Sequence, residues 1–214
     1  MKELIKMYKY ESKLLKNGFQ YIVGCDEVGR GPLAGGVLAA AVILDPKHKI
    51  PGLFDSKQLS HKNREKLAEE IEEKALAYAF GYVSETVIDQ INIYQASKMA
   101  MLKAISYLKI KPDYILSDAM PLPEANIPYN AIIKGDTLSA SIAAASIIAK
   151  VKRDEIMEKL AFLYPEYGFE KHKGYPTKLH LESLNNFGPC KLHRKTYKPV
   201  KDIIITQMIL EDFL

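Results

Sequence analysis

Cysteine is scarce in this 214-residue chain: there are two, Cys25 and Cys190. Two such thiols build no disulfide framework and match no zinc-ligand spacing, so a reduced, intracellular protein is expected. The opening stretch, MKELIKMYKYESKLL, is charged throughout and lacks the apolar centre of a signal peptide. Long hydrophobic runs are also missing. The longest, from Val37 to Leu44, has eight residues, against the roughly 20 needed to cross a bilayer. No internal repeat, low-complexity tract, Pro/Gly/Ser linker or P-loop motif is found. A cytoplasmic protein with no membrane partner is expected.

What is present is ample apolar content, 48%, enough for one large domain or a domain with a helical appendage. The net charge of +4 is unevenly distributed. Residues 170–201 carry eight Lys/Arg against two acids, a local +6, while the remainder nets −2. A polyanion suits such a segment; a solvated lysine-rich face has the same composition. Three of the five histidines, His172, His180 and His193, lie in this window.

The apolar spacing predicts an amphipathic helix over 3–17, stopped by Asn17-Gly18, then strands at 19–25 and 37–44. The second strand is apolar on both faces, as in a covered sheet. Ser60 is placed to cap a helix running to about Ala75. Strands are predicted in LAYAFGYV, DYILSD and NAIIKG, and helices from Asn92 to about Leu108 and over 137–163. The last third reads as helical pieces joined by basic loops. Strands alternating with helices indicate an α/β domain around a largely buried sheet. The expected division is an N-terminal helix (1–18), a core (19–165) and a basic helical segment packed on it (166–214).

Acids at strand ends are the chemical candidates, because ligands of open α/β sheets gather there. They are the adjacent Asp26 and Glu27, Asp118 closing YILSD, and Asp136 following IIKG. Asp136 would equally serve as a helix N-cap, and Asp118 as a turn residue. The acidic pair is less ordinary, since acids are depleted in strands and rarely buried unpaired. Clustered carboxylates raise one another's pKa unless a cation lies among them, and an all-oxygen set suits Mg²⁺ or Mn²⁺. Successive strand side chains face opposite ways, so a shared site requires β-structure that is distorted or ending at Asp26-Glu27. Gly29-x-Gly31 fits a loose dinucleotide fingerprint, but Pro32 and a second strand follow where a helix must open, which excludes that reading. Glycines flanking Arg30 instead let backbone approach a ligand. Tyr175, between Gly174 and Pro176 in a lysine-rich loop, suits stacking on a base or sugar, or simple packing in a turn. Cys25 is expected to be a small buried residue.

Taken together, GCDEVGRGPLAG, AAAVIL, DSKQLS, NIYQASKMAM, LSDA, IKGD, IAAASIIAKVKRD, YPEYGFEKHKGYPTKLH and HRKTYKPV resemble bacterial ribonuclease HII, of the type 2 ribonuclease H family, over roughly residues 19–201. DEVGRGP and HKGYPT are highly specific to it. The resemblance implies an RNase H-like fold, with a mixed central sheet flanked by helices and a basic C-terminal helical extension. It implies a metal-dependent endonuclease acting on RNA in RNA–DNA hybrids, and cutting 5′ of a single ribonucleotide embedded in duplex DNA. The family's four catalytic, metal-binding carboxylates fall on Asp26, Glu27, Asp118 and Asp136. Its ribonucleotide-sensing motif falls on Gly29, Arg30 and Gly31, and its substrate-sensing tyrosine on Tyr175. Two Mg²⁺ or Mn²⁺ ions, 3′-hydroxyl and 5′-phosphate products and a monomeric enzyme are expected. Asp154 also lies in a matching segment. On a continuous helix its 18-residue separation from Asp136 is about 27 Å, too far to share a metal pair about 4 Å apart, so Asp154 is assigned a structural role.

The chain departs from the family pattern at Gly36, where proline is common, Ala119, where glycine often stands, and Thr196-Tyr197, where Ser-Phe is usual. At the C-terminus, Gln207, Leu210 and Phe213 have the spacing of sliding-clamp-binding peptides, and equally of an amphipathic packing helix. Two other classes compete on residues alone. A non-enzymatic hybrid-binding protein needs the basic segment but not the carboxylates; a phosphohydrolase for small phosphates needs the carboxylates but not the basic tail.

Overall fold

A computed structural model describes residues 2–53 and 60–212, with the side chains of 2–4 and 207–212 outside that description. The N-terminal stretch forms two helices, α1 (Lys2–Met7) and α2 (Lys9–Lys16), where the spacing predicts one. Tyr8 separates them. It is buried, and its hydroxyl accepts a hydrogen bond from Ile50 N at 3.0 Å, a long-range anchor invisible to local spacing. Gly18, at φ 96°, follows the α2 C-cap Asn17.

The strands are β1 (Ile22–Val28), β2 (Val37–Leu44), β3 (Ala75–Val83), β4 (Tyr114–Asp118) and β5 (Tyr129–Ile132). β1 starts three residues later than its pattern predicts and continues through both acids. β2 is buried along its whole length, as its unbroken apolar run requires. Between β2 and β3 lies α3 (His61–Lys74), whose N-cap Ser60 accepts from Asn63 N. α4 (Glu85–Ser106) breaks at Asn92 (φ 68°, ψ 164°). The Asn92 side chain accepts from Gln95 N at 3.1 Å and opens the half that the sequence predicts. α5 (Ala140–Leu163) begins three residues late, because Gly135–Thr137 winds into a 3₁₀ turn. α6 (Phe169–His172), α7 (Lys178–Phe187) and α8 (Val200–Asp212) follow.

The chain divides into two compact units. The first holds the residues up to Val28, Leu38–Tyr82 and Ser97–Val151; the second holds Gly29–Val37, Val83–Ala96 and the residues from Lys152 onward. In the first unit the sheet order is β3-β2-β1-β4-β5, with β1 antiparallel to β2 and parallel to β4, and β4 parallel to β5. One sheet face receives the start of α5: Ile22, Leu116 and Ile132 pack with Ile142. Approach there is very close, since a Cβ on Gly24 would lie 2.0 Å from the Ser141 carbonyl carbon. The α5 N-terminus is also tied to α2. Glu11 Oε1 accepts from Ser139 Oγ (2.6 Å), Ser141 N (2.9 Å) and Ser141 Oγ (2.6 Å). The opposite face meets α4, where Cys25 Sγ lies 4.0 Å from Met101 O.

In the second unit, two apolar clusters form around the 29–37 loop. Ala34 packs with Met157, Tyr167 and Phe169, and Leu33 with Leu184 and Val200. Both cysteines are free thiols. Among the described residues no helix is long and apolar enough to cross a membrane.

Candidate active site

Parallel pairing between β1 and β4 ends at Cys25↔Ser117. Asp26 and Asp118 are the next residue on each strand, so the pleat turns both toward one face at one end of the sheet. That face is the one Gly24 presents to α5, and Ser146 of α5 hydrogen-bonds the Asp26 carboxyl. Asp118 Oδ1 accepts from Gly135 N at 2.7 Å, which holds the 3₁₀ turn against β4. Asp136, the next residue of that turn, is buried. It therefore lies within the turn and does not cap α5, which starts four residues later. Asp154 sits far along α5, in the second unit.

Of the two alternatives expected at Asp26-Glu27, a distorted or an ending strand, the register excludes the first. The pairing of Glu27 with Ala39 is in register with Asp26↔Ala40 and Val28↔Leu38, without a bulge. The strand instead ends one residue later, at Val28. Asp26 Oδ1 accepts from Glu27 N at 2.7 Å, so the first carboxylate folds along the backbone of the second. Among the described residues no three Asp, Glu, His or Cys side chains already stand in a metal-holding arrangement.

The donor chemistry nevertheless fits a hard divalent cation. Asp26 is 6% exposed, and desolvation, then repulsion from Glu27 and Asp118, pushes its carboxyl well above the usual range; the Ser146 hydrogen bond opposes this. A buried carboxylate raised by neighbouring carboxylates is stabilised by a positive ion among them. With only oxygen donors, Mg²⁺ or Mn²⁺ is the chemical match.

The residues expected to sense substrate lie in the second unit. Gly29 needs to be glycine twice over: its φ is 97°, and a Cβ would lie 2.3 Å from Arg153 Nε. Gly31 differs, because a Cβ there would make only ordinary contact with Tyr175 Cε1, at 3.6 Å. Arg30, Gly31 and Tyr175 are exposed. Two buried arginines that sequence reading passed over organise this loop. Arg153 donates to the carbonyls of Ala34, Gly36 and Lys173, and its guanidinium lies 5.9 Å from the Tyr175 ring centre. Arg194 donates to the carbonyls of Gly29, Arg30 and Gly35. Their only signal in sequence was position inside matched segments, KVKRD and HRKTY.

The three histidines of the basic window, His172, His180 and His193, are buried and so are not part of an exposed basic surface. His193 Nδ1 accepts from Cys190 N, so its Nε2 carries the proton and donates to His180 Nε2 at 3.1 Å. His180 Nδ1 then donates to Tyr175 O at 2.9 Å. Every partner is satisfied by neutral imidazoles. Burial pulls both His180 and His193 down to about 4.

A mixed five-stranded sheet with acidic residues at the ends of two adjacent strands places the chain among ribonuclease H-type endonucleases on an RNase H-like fold, enzymes hydrolysing the RNA strand of RNA–DNA hybrids. Solved structures agree. Ribonuclease H2 from Pyrococcus horikoshii superposes with a TM-score of 0.75 at 27% identity, covering 87% of this chain and 98% of that one. Ribonuclease HII in a PCNA complex from Archaeoglobus fulgidus gives 0.73 at 28%, covering 84% and 96%. In sequence, the ribonuclease HII family profile matches residues 23–200. A ribonuclease HII of Bacillus cytotoxicus is 56% identical over 202 residues, 94% of this chain and 78% of that protein. The chain belongs to the ribonuclease HII family, whose reaction is divalent-metal dependent.

Proposed function

We propose that the enzyme also cuts duplex DNA on the 5′ side of a single embedded ribonucleotide, leaving 3′-hydroxyl and 5′-phosphate ends. Asp26, Glu27, Asp118 and Asp136 would hold two divalent ions, Mg²⁺ or Mn²⁺. Such ions supply charge stabilisation at the phosphate and a water acidic enough to attack it. The carboxylates' own part is to fix the ions and leave no competing donor of another type. Glu27 must swing round the end of its strand to join them, and the end of β1 at Val28 supports that movement. The observation that carries the metal assignment is the register placing Asp26 and Asp118 side by side.

Selectivity requires contact with the 2′-hydroxyl, the group that separates RNA from DNA at one position. Gly29, Arg30, Gly31 and Tyr175 are assigned to it. Gly31 supports this assignment because a side chain there would crowd no protein atom and would rest against the Tyr175 ring, so glycine at this position keeps the exposed backbone beside the ring uncovered. Lysines of the 170–201 segment would hold the duplex backbone.

The test is cleavage of a duplex with one ribonucleotide, with and without divalent metal, mapping the cut and its ends. Metal-dependent incision on the 5′ side is expected. Incision on the 3′ side, or a cyclic phosphate end, would sink the proposal.

A sliding-clamp contact through Gln207, Leu210 and Phe213 is proposed alongside; these side chains lie outside the described residues. The Archaeoglobus fulgidus complex of PCNA with ribonuclease HII supports it. Clamp binding that survives deletion of residues 207–214 would exclude it.

A further inference from the structure

Arg194 is fully buried, and all five of its guanidinium N–H groups donate. Nε and Nη2 reach Gly35 O at 2.9 and 2.7 Å, and Nη2 also reaches Gly29 O at 2.6 Å. Nη1 donates to Arg30 O at 2.9 Å and to the Tyr197 hydroxyl at 3.2 Å, which in turn donates to Arg30 O at 3.0 Å. One side chain therefore fixes three carbonyls of a single loop.

Peptide planarity gives this arrangement its consequence. In a trans peptide, a carbonyl and the N–H of the next residue point in opposite directions. Drawing the Arg30 carbonyl toward Arg194 turns the Gly31 N–H the other way. Gly31 is exposed, and its side-chain position faces Tyr175. A lysine could not reproduce the effect, because an ammonium lacks the planar fork that spans several acceptors.

We propose that Arg194 is a positioning residue for ribonucleotide recognition: its fork orients the Gly29–Gly31 peptides so that the Gly31 N–H is presented, beside the Tyr175 ring, to an oxygen of the substrate ribonucleotide. This rests on the assignment of Gly29–Gly31 and Tyr175 to ribose sensing. The loop has other ties, Leu33 N to Gly174 O (2.8 Å), Gly35 N to Leu192 O (2.9 Å) and Arg194 N to Leu33 O (2.8 Å), none of which uses the guanidinium.

The test compares wild type and Arg194→Lys in chelator, measuring affinity for a duplex with one ribonucleotide and for the same duplex in all-DNA form. Wild type is expected to prefer the ribonucleotide. Arg194→Lys should lose roughly tenfold of that preference, the worth of one or two well-made hydrogen bonds, with all-DNA affinity changed less than about twofold and cooperative melting retained. A folded Arg194→Lys protein that keeps the preference overturns the inference and leaves the ribose-sensing assignment standing. Absence of preference in wild type overturns that assignment, and the inference with it. Amide hydrogen exchange on wild type decides the matter even if Arg194→Lys does not fold. The Gly31 amide should exchange quickly in the free protein and slow with the ribonucleotide duplex but not with all-DNA. A Gly31 amide already protected in the free protein overturns the inference.

Discussion

Asp26 and Asp118 each follow the last residues paired between the neighbouring parallel strands β1 and β4, Cys25 and Ser117, so their side chains stand on the same face of the sheet. Replacing Asp26 by Asn keeps the shape and removes the charge proposed to hold a cation. Cleavage should fall by roughly 10³-fold, matching the several kcal/mol that metal stabilisation supplies, while duplex binding is spared. Single-turnover rates beside a binding titration check this. An Asp26→Asn enzyme with near-native rates would remove Asp26 from the site.

Tyr175 is exposed, next to Gly31 and under Arg153. Truncation to Ala should weaken cleavage at a single embedded ribonucleotide about ten- to hundredfold, the usual range for a lost stacking contact. An extended hybrid offers many ribonucleotides and should lose less. Equal losses on the two substrates would contradict a sensing role.

His180 and His193 sit at about 4 in the folded protein against an ordinary 6.5. Between these values the unfolded chain binds more protons than the folded one, so stability rises with pH there. It should be fully present above about pH 6.5 and decline as pH falls toward 4. Each pKa unit is worth about 1.4 kcal/mol, and the imidazoles share one hydrogen bond, so the pair counts as one coupled unit. Urea unfolding at pH 7.5 and 5, in wild type and His193→Gln, isolates its share. The same acid loss in both proteins would show that the pair is not held neutral.

Ala119 occupies a left-handed backbone conformation, φ 51°, directly after Asp118. An L-residue pays about 1–2 kcal/mol there, partly offset by the extra freedom glycine has when unfolded. Ala119→Gly should therefore stabilise the protein by about 0.5–1 kcal/mol, read from the denaturation midpoint. A lower midpoint would mean the backbone relaxes without strain.

The candidate acids, the glycine-arginine-glycine loop and the family were legible from sequence because motif spacing is a local property. So were β2, its run apolar on both faces, and the Asn92 start of the second half of α4. Periodicity and capping chemistry act within a few residues, and they need no partner from elsewhere in the chain. Tertiary structure alone decided the rest. It put Asp136 in a 3₁₀ turn held by Asp118, kept β1 regular through Glu27, and buried the three histidines of the basic window. It also revealed Arg194, whose carbonyl acceptors lie 159 to 165 residues away. Desolvation and hydrogen bonds over such separations come into being only when the chain closes on itself, so the same arginine reads in sequence as one more surface charge.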